Sequence, residues 1–358
     1  MSLRPRARVH LANIADNWRT LRASQIGGVT SAVIKADAYG HGLPQVAVAL
    51  HDAGCDHFFV AHSFEGEAAR QALGPHPIIY VLNGPDPYEE PTYRQNALTP
   101  VINSQDQFQT LVTWLQSAGK LRNDYALHFD SGMNRLGLPL SDAPQLAEAT
   151  IGMEPSLIIS HLACSEAASN PMNAFQLAQF QAATEKFPNV PTSLSNSGGI
   201  WLGPDYHRDL TRPGIALYGG GHPPEGLPLK PGMTLEAPIL QIRTAQSGET
   251  VGYGATHRLT QPTPLATVAL GYGDGFPRSA SNKGFAAIEG IACPIIGRVS
   301  MDLITIDVSA AIDLARPGVY AQFIGPDAPL ETQAKLVGTI GYELTTGLTP
   351  RVTRIFEN

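Results

Sequence analysis

The sequence predicts an α/β protein, an N-terminal (β/α)8 TIM-like barrel followed by a mostly β domain. Three observations carry that prediction. Through roughly the first 220 residues, short apolar runs alternate with amphipathic segments, the pattern of parallel strands covered by helices. Gly219–Gly232 then reads GGGHPPEGLPLKPG, a Pro/Gly-rich stretch of linker type. Beyond it, alternating β-branched segments punctuated by turn residues replace the helical periodicity. The domains are therefore placed at 1–222 and 223–358, with residues 1–10 as a segment that returns to pair with the second domain.

The elements follow in order. Ala32–Lys35 opens the barrel as an apolar run ending on a lysine. His57–Ala61, Pro77–Leu82, Leu98–Ile102, Tyr125–Phe129, Ser156–His161, Thr192–Ser195 and Ile215–Tyr218 supply seven more strands, short and apolar. Leu43–Ala53, Ser63–Leu73, Ser104–Ala118 and Asn173–Phe187 have the spacing of helices with one apolar face. An open doubly wound sheet is the rival architecture, but its GxGxxG fingerprint is missing from the start of the chain. In the second domain, strands are expected at Met233–Thr244, Ala266–Leu270, Phe285–Ile288, Ile295–Ile296 and Leu303–Val308, with Arg6–Leu11 returning to join them.

Composition narrows the function. A chain of 358 residues is long enough for two domains with sizeable cores. Charged residues are only 15%, which fits a compact or oligomeric protein rather than a disordered one. A net charge of −7 without any basic run argues against a nucleic-acid partner. Cys55, Cys164 and Cys293 are scattered, with no metal-site spacing, and read as reduced thiols of a cytoplasmic protein. The opening MSLRPRARVH has no apolar stretch after its arginines, so no secretory signal is expected. No window approaches the ~18 apolar residues of a membrane span.

The most informative string is AVIKADAYGHG, Ala32 to Gly42. A lysine where an apolar strand runs out sits at the mouth of a core, and desolvation favours the neutral amine that attacks a carbonyl. Tyr39 is placed to aim a hydroxyl at a bound anion, and the glycines let the turn come close to a ligand. In a barrel, strand C-terminal ends mark the active face. Reading them off adds Asp130–Arg135 (DSGMNR), His161, Ser195–Gly198 and Thr211–Gly214 to Lys35. Each has a plainer alternative. His161 could be a satisfied structural histidine, SNSG a turn, Arg212 a salt-bridged barrel residue, Tyr253 a strand aromatic and Met301 a core residue.

AVIKADAYGHG is followed in order by SNSGG (Ser195–Gly199), TRPGIALYG (Thr211–Gly219), VGYGATH (Val251–His257), GYGDGFPR (Gly271–Arg278) and GRVSMDLITID (Gly297–Asp307). Together, over almost the whole chain, these resemble the signatures of the bacterial alanine racemases, enzymes that use pyridoxal 5'-phosphate (PLP). The resemblance implies that Lys35 holds PLP. It implies that Tyr39, Ser197 and the backbone N–H groups of Gly214 and Ile215 bind the phosphate, that Arg212 faces the pyridine nitrogen, and that Arg135 meets the phenolic oxygen and helps orient the substrate carboxylate. An arginine keeps its proton, so the ring nitrogen can only accept a hydrogen bond; the weaker electron sink favours racemisation over transamination.

Two proton relays are implied, one on each face of the carbanion. Lys35 serves one, and Tyr253 from the other subunit of a head-to-tail homodimer serves the other. A phenol is a poor base at neutral pH unless cations lie near it, which a chain from Tyr253 through His161 to Arg212 provides. Met301 offers its N–H to the substrate carboxylate from the partner subunit, while Asp302, Tyr272 and Arg278 line the entrance. Alanine is the expected substrate, with serine as a side activity, and D-alanine for peptidoglycan the expected product. The rivals are a serine or broader amino-acid racemase, a non-catalytic PLP-homeostasis protein resembling only the first domain, and a decarboxylase of the same architecture. The decarboxylases place an acid where this chain has Arg212.

Two departures stand out. Some family members carry a carbamylated lysine seven positions before the arginine matched by Arg135, and that group braces the arginine. Here the position is His128, so the brace must differ, with a bound anion such as chloride as one replacement. Some also place a phosphate-binding tyrosine near the C-terminus, after a YELTTGLT-like segment. Here Pro350-Arg351-Val352 follows, with no tyrosine to match.

Overall fold

The computed structural model describes residues 3–121, 124–227 and 229–358; Met1 and Ser2 of the N-terminal segment and Pro228 of the linker stretch lie outside them. Seven short parallel strands follow one another in chain order: Ala32–Val33, His57–Val60, Ile78–Val81, Leu98–Ile102, Ala126–His128, Leu157–Ile159 and Thr192–Ser193. Their residues are almost all buried, as befits strands covered on both faces. The covering helices include Leu43–Asp52, Ser63–Leu73, Gln105–Ala118 and Pro171–Thr184. Two of them start on side-chain caps, Ser104 Oγ accepting from the Gln107 N–H and Asn170 Oδ1 from the Met172 N–H.

The eighth strand corrects the sequence reading. Ile215–Tyr218 is a 3-10 turn, and Leu210–Thr211 takes its place, paired in parallel with Val29–Thr30. The pairing continues where the Ser31 and Val33 N–H groups donate to Thr211 O (3.0 Å) and Pro213 O (2.9 Å). On the other side, the Asp209 and Arg212 N–H groups reach Thr192 O (3.0 Å) and Ser195 O (2.9 Å), which closes the ring. Pro213 explains the shift, because its fixed φ and missing donor stop the strand. The apolar run after it is buried at the end of the barrel, where the Tyr218 hydroxyl donates to Val33 O at 3.0 Å. An apolar run does not by itself distinguish a strand from a buried turn.

The first strand is also shorter than the expected Ala32–Lys35. After Ile34 the backbone winds left-handed through Ala36, Asp37, Ala38 and Tyr39, with φ between 53° and 54°. Each such non-glycine residue costs about 1–2 kcal/mol. The turn is secured from outside and within. Glu65 Oε1 accepts from the Ala36 N–H (2.6 Å), and Ile34 O accepts from the Ala38 N–H (2.9 Å). Asp37 Oδ1 accepts from the Leu43 N–H (2.7 Å), tying the turn to the following helix.

The second domain is built on a sheet of eight strands, with a two-stranded ladder of Thr250–Val251 and His257–Arg258 beside it. Ile291–Pro294, Phe285–Ile288, Tyr320–Ile324, Met233–Ala245, Arg6–His10 and Thr353–Glu357 lie side by side, and Thr263–Val268 pairs with both Met233–Ala245 and Ile304–Asp307. A register shift between Ile239 and Gln241 bends the long strand between its neighbours. Arg6–His10 runs antiparallel to Met233–Ala245 and parallel to Thr353–Glu357, stitching both ends of the chain into one sheet. Leu235, Ile239, Val268, Ile288, Ile306 and Phe323 are central to its core. The strand expected at Ile295–Ile296 lies instead at Ile291–Pro294, the hairpin partner of Phe285–Ile288, and Ile295 makes an isolated bridge to Ile306. Helices are present too, at Leu330–Val337 and Gly341–Thr346.

Candidate active site

The C-terminal ends of the barrel strands open into a cavity of about 650 Å³, walled by Lys35, Tyr39, His128, Arg135, His161, Ser197, Arg212, Gly214, Ile215 and Tyr342 among others. Lys35 stands just past the first strand. Burial, assisted by the charge of Arg135, pulls its amine below the usual lysine range, against the opposing pull of Glu65. Glu65 was not singled out in the sequence. Besides the Ala36 N–H it accepts from those of Ala61 (2.7 Å) and His62 (3.1 Å), so it ties the lysine turn to the next barrel strand. Its signal was an acid three positions into a helix, reaching back to the cap.

Arg212 leaves the eighth strand buried, donating to Ser193 Oγ, Ser160 O and Leu194 O. Burial pushes its guanidinium down to about 9, which keeps it cationic at neutral pH. Its partners among the described residues are a hydroxyl and two carbonyls, so the salt-bridged alternative does not hold. Gln176 Nε2 donates to His161 O at 2.9 Å and fixes the end of the sixth strand. Burial and the charges of Arg212 and Arg135 hold the His161 imidazole neutral.

A second wall is made of hydroxyls. Burial raises the Tyr39 phenol well above the usual range, so it stays a donor. Its ring stacks on Tyr218 at 4.9 Å. A Cβ on Gly214 would lie 2.3 Å from the Tyr39 oxygen, so only glycine lets that hydroxyl reach this loop. Ser197 Oγ accepts from the Gly214 N–H (2.9 Å) and the Ala216 N–H (3.3 Å), which leaves its own proton to donate. Tyr342 of the C-terminal segment also stands at this wall. A cavity tyrosine is present, but inside YELTTGLT rather than after it. Its ring lies 6.0 Å from that of Tyr39, and its hydroxyl donates to Glu166 at 3.2 Å.

Three cations (Lys35, Arg135, Arg212), neutral imidazoles and a bank of hydroxyls suit a small anionic carbonyl compound with a phosphate at the hydroxyl end. The family model for the alanine racemase N-terminal domain matches residues 9–222, and that for the alanine racemase C-terminal domain matches 232–356. The chain belongs to the alanine racemase family. Its racemase relatives include the alanine racemase of Methylobacterium nodulans, 43% identical over 355 residues, 98% of this chain and 95% of that protein. The catabolic alanine racemase of Agrobacterium fabrum is 44% identical, over 97% of this chain and 91% of that protein. Among solved structures, alanine racemase from Bartonella henselae with covalently bound pyridoxal phosphate matches with a TM-score of 0.94 at 37% identity, over 99% and 100% of the two chains. The biosynthetic alanine racemase of Pseudomonas aeruginosa matches with 0.91 at 33%, over the full length of both.

The racemase signature residues fall into two groups. Lys35, Tyr39, Arg135, His161, Ser197, Arg212, Gly214 and Ile215 share the cavity. Tyr253, Tyr272, Met301 and Asp302 do not line it and stand exposed on the second domain. Tyr253 is 70% exposed on a short 3-10 turn and Met301 is 53% exposed, so neither is a core residue. Their loops are nonetheless ordered by bonds. The Tyr272 N–H donates to Ser300 O (3.0 Å), the Gly273 N–H to Met301 O (2.8 Å), and Arg351 holds Asp302 (2.7 Å) and Asp274 (3.1 Å). Among the described residues, no helix is long and apolar enough to cross a membrane, and no cluster of side chains is set to hold a metal ion.

Proposed function

We propose that this protein is a PLP-dependent alanine racemase that works as a homodimer with shared active sites. The cavity fits the cofactor. Lys35 would be the amine for its carbonyl carbon, and Tyr39, Ser197 and the Ile215 N–H would donate to its phosphate, joined by the Gly214 N–H once it turns from Ser197 Oγ. Arg212 would be the fixed donor to the cofactor's pyridine nitrogen. Bound there, PLP supplies a conjugated ring that takes up the electron pair left when the substrate Cα loses its proton.

The chain's own residues do the rest. Lys35, depressed by burial, moves the proton at Cα on one face. The partner subunit's Tyr253 moves it on the other. His161 links that phenol to Arg212, whose charge favours the phenolate. Arg212 does not surrender its proton, and this favours return of the proton to Cα. Arg135 and the partner subunit's Met301 N–H orient the substrate carboxylate. Tyr272, Asp302 and Arg278 line the approach. The product, D-alanine, feeds peptidoglycan assembly in the cytoplasm, a compartment in keeping with three free thiols.

One observation carries this reading. Eight of the signature residues line one cavity, while Tyr253 and Met301 face solvent on another domain of the same chain. Mixed dimers test it. Lys35→Ala and Tyr253→Phe chains should each be inactive alone. Co-folded in equal amounts, half the dimers pair one of each and carry one intact site, restoring about a quarter of wild-type alanine racemisation. Failure to restore activity, with mixed dimers present by mass, rules out sharing. Absence of alanine turnover in the wild type rules out the activity.

A further inference from the structure

His128 closes the fifth barrel strand, is 8% exposed and lines the cavity. Its Nδ1 lies 2.7 Å from Asn103 Oδ1. The direction of that bond follows from the amide's other end. Asn103 Nδ2 donates to Leu82 O (3.0 Å), Val101 O (2.9 Å) and Gln107 Oε1 (3.1 Å), all acceptors, so the oxygen is the atom that faces the imidazole. An amide oxygen brings no proton, so the proton of this bond sits on Nδ1. The neutral ring then presents a bare lone pair at Nε2. Protonation there is opposed by burial and by Arg212 and Arg135, with Asp130 pulling the other way; together they hold the imidazole down to about 3.

The loop that follows carries Arg135 over the same cavity. The Leu138 N–H donates to His128 O (2.7 Å) and the Asp130 N–H to Leu138 O (3.0 Å), folding residues 130–137 back over the strand end. Asp130 Oδ1 is spent on the Gly132 and Met133 N–H groups (2.8 and 2.7 Å). Of the cavity's cations, Arg212 is committed to Ser193, Ser160 and Leu194, and Lys35 is the nucleophile of the proposed reaction. Arg135 lies on this loop, exposed and lining the same cavity.

We infer that His128 is a positioning residue for Arg135, its Nε2 accepting a hydrogen bond from the guanidinium while Asn103 fixes the ring from behind. The inference rests on the proposed racemase reading for its consequence. A carboxylate in this place would fix the arginine and also cancel its charge. An imidazole fixes its direction and leaves the full positive charge for the substrate. A bound anion is then not required as a brace.

Two readouts test this. In cofactor-free protein with 15N-labelled histidine, His128 should show a protonated Nδ1 and an unprotonated Nε2 at neutral pH, and Arg135→Leu should move the Nε2 resonance. A protonated Nε2, or a resonance indifferent to Arg135→Leu, overturns the inference whatever the enzyme does. In turnover, His128→Phe should lower kcat/KM for alanine about ten- to a hundredfold, the cost of a lost bond to a charged group. His128→Gln, which keeps an acceptor, should recover most of it. In the Arg135→Leu background, His128→Phe should have no further effect. Additive losses overturn the inference. A wild type that leaves alanine untouched overturns the functional reading instead, and the resonance still decides His128.

Discussion

At the barrel rim, Lys35, Arg212, His128 and His161 stand crowded in or beside the core, with amines and imidazoles pulled away from their solution behaviour. In the second domain, Tyr253, Tyr272 and Met301 stand in solvent on short turns, and the buried interior is almost wholly apolar. The rim must exclude water to make its charges effective, and Arg212 and Asn103 are bound there to strand ends. The second domain contributes rigid presentation. Its sheet holds exposed loops in fixed positions, ready to be covered by another surface. The contrast separates tuning from delivery: one region sets the reactivity of its side chains, and the other holds side chains out to be used elsewhere.

The largest expected effect breaks the contrast at its buried end. Lys35→Ala should abolish both borohydride-trapped cofactor and racemisation. Tyr253→Phe should keep the absorbance of bound cofactor while losing about 10²–10⁴ of the rate. Equal loss of cofactor in both would erase the distinction between the regions. Next, Gly214→Ala sets a methyl against the Tyr39 hydroxyl and should weaken cofactor binding about ten- to a hundredfold in a spectral titration. An unchanged affinity would remove that wall from the phosphate site.

The smallest effect is on stability. His128 and His41 are buried, and burial lowers their pKa values to about 3 and about 4, below the ordinary histidine value of about 6.5. Above pH 6.5 neither state is charged there. As pH falls, the unfolded chain takes up protons that the native barrel refuses, so stability is lost by about 2 kcal/mol per buried histidine between pH 6.5 and 5. The second domain holds two histidines, His257 and, on the N-terminal strand of its sheet, His10, both partly exposed. Hydrogen exchange at pH 5 against pH 7 should therefore show barrel peptides losing protection before those of the second domain. Equal loss would place the acid sensitivity elsewhere.

Much of the barrel was legible because parallel strands covered on both faces are apolar runs, and the helices between them keep a clear period. The eighth strand was not, since Leu210–Thr211 is two residues long and the richer apolar run lies just past Pro213. Tyr320–Ile324 and Thr353–Glu357 were missed because short strands interrupted by polar residues have little pattern to detect. At the site, residues on strand ends could be read off directly. Glu65 and Asn103 could not, because their value lies in bonds to backbone and side chains distant in sequence. Tyr342 escaped because its place beside Tyr39 is set by how a short helix of the second domain docks on the rim.

The left-handed winding of Ala36–Tyr39 has one more consequence. Alanine, aspartate and tyrosine on their own prefer the opposite hand, so a free peptide of this sequence would coil the wrong way and carry its amine and phenol in a different relation. Glu65, reaching across from the start of a neighbouring helix, helps impose the handedness. Grafting the eleven letters into another scaffold would thus transplant the residues without their geometry. What would have to be moved is the neighbouring stretch of barrel that bends them.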